Sequence, residues 1–380
     1  MAATDSYAGG DGRLSPLSTP SATRAVLEAH GIGTKYTLGQ NFLVNDDVLK
    51  KIIALAEVGE NDRVLEVGPG IGTLTIALLK HAASVIAIER DPDLPAVLAD
   101  TLHPWREKFA LIEKDALDVT RDDIVAAMVE IGGDTGYPDR ASSAANETAQ
   151  WAVSQSEDCL SESGYPVAPP QEDLQLSLPS KLVANLPYAV AATVVLDYFE
   201  SFPFLDSATI MVQKEVADRM VAAVGTKNYG AYTVKLGLYA EPAGRFAVGP
   251  GNFFPPPRVD SAVIRLNRRV PLMADGAPAS PEVIAAAALM ADAAFTNRRK
   301  TIANSCKTYF SGRGPILLGV ADSSAAEGAP TIALPDGAAT AERLPAIFEA
   351  AAIDPRRRGE TLTQQEFLAL GAALLRVTAA

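Results

Sequence analysis

The chain has 380 residues, and 33 lysines and arginines against 46 aspartates and glutamates leave a formal net charge of −13. With 48% hydrophobic and 21% charged residues it can supply a substantial core, which excludes a wholly disordered chain, and its length predicts two domains or one with a large appendage. At face value the acidity argues against nucleic-acid binding, because phosphate contacts are made mainly by lysine and arginine. Two cysteines, Cys159 and Cys306, are too few for a disulfide framework, and the three histidines show no ligand spacing, so no metal is expected. The N-terminus has no apolar signal core, and no apolar run reaches the roughly 18 residues a membrane span needs. A soluble, cytoplasmic, monomeric protein with no membrane contact is the expectation.

In chain order, a Gly-, Ser-, Pro- and Thr-rich opening predicts a disordered tail over residues 1–24, with helical periodicity from Ala25 and a second helix over Asp47–Glu57. Short apolar runs then alternate with helical stretches. Strands are predicted at Arg63–Val67, Ser84–Glu89, Phe109–Glu113, Lys181–Asn185 and Ala208–Gln213. Helices are predicted at Gly72–His81, Pro92–Leu102, Asp122–Glu130, Ala191–Phe199 and Glu215–Val224. This alternation predicts a doubly wound, Rossmann-like α/β sheet, and Ala243–Val248 with Val259–Leu266 would close it as a terminal antiparallel hairpin, making seven strands.

Two stretches interrupt the rhythm. Residues 131–180 are rich in Ser, Ala, Gly and Pro with scattered acids, and read as an insertion, since a structureless loop of that length is unusual inside a compact domain. Residues 312–341 form a second Gly/Ala/Pro-rich insertion. Strand signals largely vanish after Val270 and Ala-rich helical segments take over, which places a boundary there: a domain over 25–270, and a smaller α-helical domain over 271–380.

The first strand runs through Glu66-Val67-Gly68-Pro69-Gly70-Ile71-Gly72 into a helix. Glycines there let the backbone turn tightly and approach a ligand. The spacing is G-x-G-x-G, and Thr73 stands where the dinucleotide fingerprint would carry its third glycine, which favours an S-adenosylmethionine site over a nicotinamide one. Glu89 ends the second strand 21 residues after Gly68, where a carboxylate can accept from both ribose hydroxyls, and Asp115 follows the third strand, where a carboxylate can accept from an adenine amino group. Each acid taken singly is equally a solvated loop carboxylate; their order after the glycine turn is what joins them.

The sharpest motif is Asn185-Leu186-Pro187-Tyr188, after the fourth strand. The exocyclic amine of adenine is a poor nucleophile because its lone pair is delocalised into the ring. It needs acceptors that hold its N–H bonds and draw the nitrogen toward tetrahedral geometry. The Asn185 side-chain oxygen and the Leu186 carbonyl can supply them, Pro187 fixes the turn that presents them, and Tyr188 can stack on the base. A capping Asn before an X-Pro turn is the plainer alternative.

Six ordered segments carry a family resemblance. They are Gly39-Gln40-Asn41-Phe42-Leu43, Glu66–Gly72, Asn185–Tyr188, Gln213-Lys214-Glu215-Val216-Ala217, Asn252–Val263 with its Phe253-Phe254-Pro255-Pro256-Pro257-Arg258 core, and Ala294–Ile302. Together they resemble the ribosomal RNA adenine N6-dimethyltransferases, and the last two are similar to the bacterial small-subunit (16S) branch of the KsgA/RsmA type. The resemblance covers roughly 34–130, 181–312 and 343–375. It implies an S-adenosylmethionine-dependent methyltransferase that adds two methyls to each of two adjacent adenosines near the 3′ end of 16S rRNA, on the immature small ribosomal subunit. It further implies that Gln40, Asn41 and Leu43 meet the methionine end of S-adenosylmethionine. The backbone at Gly68 and Gly70 would line the methyl donor, with Glu89 at its ribose and Asp115 at its adenine. Asn185 would orient the target amine, and Tyr188 and Phe254 would sandwich the target base. Adenine methylation of DNA or large-subunit RNA, and a non-enzymatic assembly factor that keeps the fold, are the other classes. The long N-terminal tail and the two insertions depart from the family pattern.

Over Phe295–Arg313 the chain carries Arg298, Arg299, Lys300, Lys307 and Arg313 and no acid. Such clustering suits RNA phosphate contacts, or else a solvated helix face over buried aromatics. Residues 131–180 hold eight acids against one base and so account for −7 of the −13. Net charge therefore averages regions of opposite character, and constrains where RNA binds without excluding it.

Overall fold

The computed structural model describes residues 12–32, 41–132, 178–319 and 331–379. Gln40, with Gly39, and nearly all of the predicted 131–180 insertion lie outside the described residues.

A seven-stranded sheet organises the chain. Its strands are β2 (Arg63–Val67), β3 (Ser84–Ile88), β4 (Phe109–Ile112), β5 (Lys181–Asn185), β6 (Ser207–Gln213), β7 (Ala240–Val248) and β9 (Ser261–Arg268), in the order β4-β3-β2-β5-β6-β9-β7. The first five run parallel, and β9 pairs antiparallel with both β6 and β7. The parallel strands are continuous apolar runs because both faces are covered by helices. Successive side chains serve opposite layers: Val64 and Val85 join the cluster built with helices α2 (Asp46–Ala56), α3 (Thr73–Leu79) and α4 (Pro95–Thr101), while Leu65 and Ile86 join that built with α5 (Arg121–Gly132) and α6 (Ala191–Ser201). The strand β7 begins at Ala240, three residues before the predicted start. Pro242 obscures that start in the sequence, yet an edge strand tolerates proline, and the register shifts between Pro242 and Gly244. Helix α4 starts three residues later than predicted because Asp91 closes a turn first, its Oδ1 accepting from Asp93 N at 3.2 Å and its carbonyl from Leu94 N at 3.1 Å.

The tail predicted over 1–24 is ordered where described. Helix α1 spans Pro20–Ala29, capped by Thr19, and starts five residues before the predicted Ala25. Ahead of it, Leu17 is only 1% exposed in the core. Asp46 Oδ1 accepts from Leu14 N (2.8 Å), Ser15 N (3.2 Å) and Ser18 Oγ (3.3 Å), pinning the segment to the first turn of α2. Composition missed this because the fixing acid is far away in sequence.

Residues 312–341, read as an insertion, begin and end in regular structure. Strands β10 (Pro315–Gly319) and β11 (Thr331–Asp336) pair antiparallel, and helix α11 (Gly337–Ala350) starts within the same stretch. The C-terminal helices α9 (Pro281–Phe295), α10 (Ile302–Phe310), α11 and α12 (Gln364–Ala379) share a core of Met290, Phe310, Phe348 and Phe367. Tyr229 and Val234, from around the short helix α8 (Ala231–Gly237) that follows α7 (Lys214–Met220), enter the same core, and the Tyr229 hydroxyl donates to Leu362 O at 2.8 Å. Helix packing is thus continuous across residue 270. Among the described residues no helix is long and apolar enough to cross a membrane.

Candidate active site

A cavity of about 570 Å³ opens at the carboxyl ends of the parallel strands. It lies where the sheet order reverses, between β2 and β5, the position at which open α/β sheets bind ligands. The turn after β2 and the turn after β5 meet there: a Cβ built on Gly68 would lie 3.5 Å from Pro187 Cδ. Gly70 adopts a positive φ of 61°, and a Cβ on it would come 3.1 Å from the Phe42 ring, so a side chain there would be strained and would push Phe42 out of place.

Phe42 and Leu43 form the short strand β1, which pairs with β8 (Phe253–Phe254) in the register Phe42↔Phe254 and Leu43↔Phe253. Val44 N donates to Asn252 O at 2.8 Å, and Asn45 Nδ2 to Asn252 Oδ1 at 2.8 Å. Asn41, immediately before β1, accepts at its carbonyl from Asn185 Nδ2 at 3.2 Å. That bond turns the Asn185 amide so that Oδ1 is its acceptor end; among the described residues no donor reaches it.

Three acids line the cavity. Glu89 Oε1 accepts from Arg90 N and Asp91 N, both at 2.9 Å; burial raises its pKa against the pull of these amides and of Gly70 N–H. Asp115 Oδ1 accepts from Leu117 N at 3.1 Å and Oδ2 from Arg90 Nη1 at 2.8 Å, and the Leu117 amide with the Arg90 guanidinium holds its carboxyl below the usual range. Glu66, 1% exposed, is pushed up to about 8 by burial, with the Glu89 charge adding to the rise. Its Oε2 is buried without a hydrogen-bond partner among the described residues.

These features fit S-adenosylmethionine. The glycine turn leaves room for backbone-close approach, Glu89 and Asp115 offer carboxylate acceptors on successive strand ends, and the orphaned Glu66 oxygen can accept from a cationic amine. Tyr188, half-buried on the cavity wall, has its hydroxyl 2.6 Å from Ser261 Oγ, and burial raises its pKa. Leu186 is buried in the core and anchors the turn from behind.

The structure brings Asn41, Leu43, Gly68, Gly70, Glu89, Asp115, Asn185, Leu186, Pro187 and Tyr188 to one cavity. Phe254 is outside its lining; the Arg24 guanidinium of α1 lies 5.3 Å from the ring centroid. Arg90, Glu66 and Ser261 were not singled out from the sequence. Arg90 follows Glu89 directly, but its partner Asp115 is 25 residues away.

The predicted RNA-contacting residues form a separate surface. Arg298 is engaged by Glu360 Oε2 and Thr226 O, both at 3.1 Å, whereas Arg299, Lys300 and Lys307 are exposed. Arg313 stacks on Tyr309 with its guanidinium carbon 3.9 Å from the centroid. Phe295 packs inward against Phe367, and Phe310 is buried, so those two aromatics belong to the core. A second basic loop, not singled out from the sequence, lies beside the first cluster: Ile302 N donates to Arg357 O at 2.7 Å and Ala303 N to Pro355 O at 3.2 Å, and within the loop Arg356 pairs with Asp354 and Arg357 with Glu366. Among the described residues no group of three or more His, Cys, Asp or Glu could hold a metal ion.

Comparison with known proteins accords with this geometry. Residues 33–329 match the family model "Ribosomal RNA adenine dimethylase". The chain is 32% identical to ribosomal RNA small subunit methyltransferase A of a Geobacillus species over 361 residues, 95% of this chain and 98% of that one. It is also 32% identical to the protein of that name from Enterococcus faecalis, over 94% of this chain and 96% of the relative. A crystal structure of a dimethyladenosine transferase from Plasmodium falciparum shares the fold, with a TM-score of 0.53 at 20% identity over 87% of this chain and 95% of that one. With a glycine turn, ordered strand-end acids and an Asn-Leu-Pro-Tyr turn converging on one cavity, the chain belongs to the ribosomal RNA adenine dimethylase family.

Proposed function

We propose that the protein transfers methyl groups from S-adenosylmethionine to N6 of two adjacent adenosines near the 3′ end of 16S rRNA, giving N6,N6-dimethyladenosines on the immature small ribosomal subunit. The observation that carries this reading is the Asn185–Tyr188 turn, whose amide Nδ2 is tied to Asn41 O and whose Oδ1 is left to accept from a substrate amine. Bound S-adenosylmethionine supplies an activated methyl on a sulfonium sulfur. Glu89 accepts from the ribose hydroxyls and Asp115 from the donor's adenine amine. Asn41 and Leu43 cover the methionine end. The Asn185 amide oxygen and the Leu186 carbonyl accept from the target amine, orient its lone pair and ease the positive charge that grows on nitrogen during transfer. Tyr188 stacks on the extruded base. Phe254, paired with the cavity residue Phe42, covers the base from the other side.

In this reading residues 25–270 carry the methyl-transfer chemistry and 271–380 dock the RNA through Arg298, Arg299, Lys300 and Lys307. The protein acts as a cytoplasmic monomer that needs no resident metal. Replacing Asn185 by Ala tests the chemistry. S-adenosylmethionine affinity stays within about twofold, while methyl transfer falls about 100-fold or more, as for loss of an oriented polar group facing developing charge. Turnover near that of the unmodified protein would remove Asn185 from the mechanism.

A further inference from the structure

The aromatic wall of the cavity is fastened from the far edge of the sheet. Tyr188 sits on the turn after β5, and its hydroxyl reaches Ser261 Oγ, 73 residues away in sequence, at 2.6 Å. Ser261 is 0% exposed and is the first residue of β9. It pairs with Gln213 at the end of β6 and with Val248 at the end of β7, so its backbone is held from both sides. Its hydroxyl position is therefore that of the rigid sheet, whereas Tyr188 belongs to a turn whose side chain has two rotatable bonds. A ring fixed only at its Cα could swing across the cavity mouth; one fixed also at its hydroxyl keeps a single direction along the cavity wall. Burial keeps the phenol protonated, so the bond persists through the neutral range.

We infer that Ser261 is a positioning residue for methyl transfer, its hydroxyl holding the Tyr188 side chain at the one place on the cavity wall from which its ring stacks on the target adenine. The inference rests on the reading above that Tyr188 carries the base. It explains why a fully buried serine stands at the first position of this strand. A polar atom there needs a partner, and the partner it has is the Tyr188 hydroxyl on the cavity wall.

The test compares Ser261→Ala, Tyr188→Phe, their combination, Ser261→Thr and Tyr188→Ala in the full-length protein, with undermethylated small subunits as substrate. Ser261→Ala and Tyr188→Phe remove the same bond from opposite ends. Each lowers kcat about tenfold and leaves the Kd for S-adenosylmethionine within about twofold, because a small displacement of a positioned group is felt mainly in the reacting geometry. The double variant is no slower than either single one, the signature of a shared interaction. Ser261→Thr, which keeps the hydroxyl, retains most of the turnover, and Tyr188→Ala is slower than Tyr188→Phe. Wild-type kcat in Ser261→Ala and Tyr188→Phe, with Tyr188→Ala impaired, overturns the positioning role and leaves the stacking role standing. Wild-type kcat in Tyr188→Ala overturns the stacking role itself. Additive losses, or parallel losses of donor affinity and kcat in Ser261→Ala, would mean that the serine only supports the sheet, and also overturn the inference.

Discussion

Glu66 shows how one side chain can tie a binding site to stability. It lies at the end of a parallel strand with helices over both faces, and burial pushes it up to about 8 from an ordinary value of 4.5. The folded protein therefore holds a proton that the unfolded chain has released between those two values. Stability falls as pH rises through that window, by up to about 1.4 kcal/mol per pH unit, and levels off above about 8. Glu66→Gln removes the titration. Melting curves collected from pH 5 to 8 should show the variant's Tm gaining steadily on that of the unmodified protein; parallel profiles would mean that Glu66 is solvated or paired. At this scale the sequence was informative where a residue's place at the cavity follows from strand order. Asn185, Glu89 and Asp115 could be placed there because each closes or follows a recognisable apolar run. It was silent where a role is defined through space. Arg90 matters because its guanidinium reaches Asp115, and Ser261 because its hydroxyl meets Tyr188; neither partner is near in the chain.

At the level of elements, the parallel strands announced themselves as continuous apolar runs, and their order followed from alternation with helices. What escaped the sequence were elements fixed by distant groups. The segment before α1 looks like a polar tail until Asp46 is seen accepting three hydrogen bonds from it. Burial raises the Asp46 pKa, but the Ser15 and Leu14 amides and Lys50 outweigh it and hold the carboxyl below its usual range. In the C-terminal region, Ala-rich composition correctly suggested helices, yet the closeness of their packing is set by one glycine. A Cβ on Gly371 would lie 2.6 Å from Ala287 N and 2.7 Å from Val283 O, both backbone atoms that cannot rotate away. Gly371→Ala forces α9 and α12 apart and should cost on the order of 1–3 kcal/mol in spite of alanine's better helix propensity. Chemical denaturation of the variant would measure that loss, and a gain in stability would contradict the packing described. The same loss should leave the Kd for S-adenosylmethionine unchanged, since the cavity is built from the sheet and not from these helices.

The whole molecule resolves the conflict between an acidic chain and a nucleic-acid substrate by separating its charges. Of the net −13, −7 falls in residues 131–180, most of which lie outside the described residues. The described C-terminal region brings Arg299 and Lys300 beside the Arg356–Arg358 loop; Glu360 pairs with Arg298, Asp354 with Arg356 and Glu366 with Arg357. In the proposed reading these basic residues meet RNA phosphates, contacts that position an RNA without reading its bases. Base selection then falls to the cavity, where acceptors on Asn185 and Leu186 suit an amine that still carries hydrogen. That this cavity dimethylates adenine in small-subunit rRNA can be measured directly. The protein is incubated with undermethylated small ribosomal subunits and methyl-labelled S-adenosylmethionine, and the 16S rRNA is digested to nucleosides. The label is expected in N6,N6-dimethyladenosine from two adjacent positions near the 3′ end. Label confined to another nucleoside, or found only in large-subunit RNA or DNA, would contradict it.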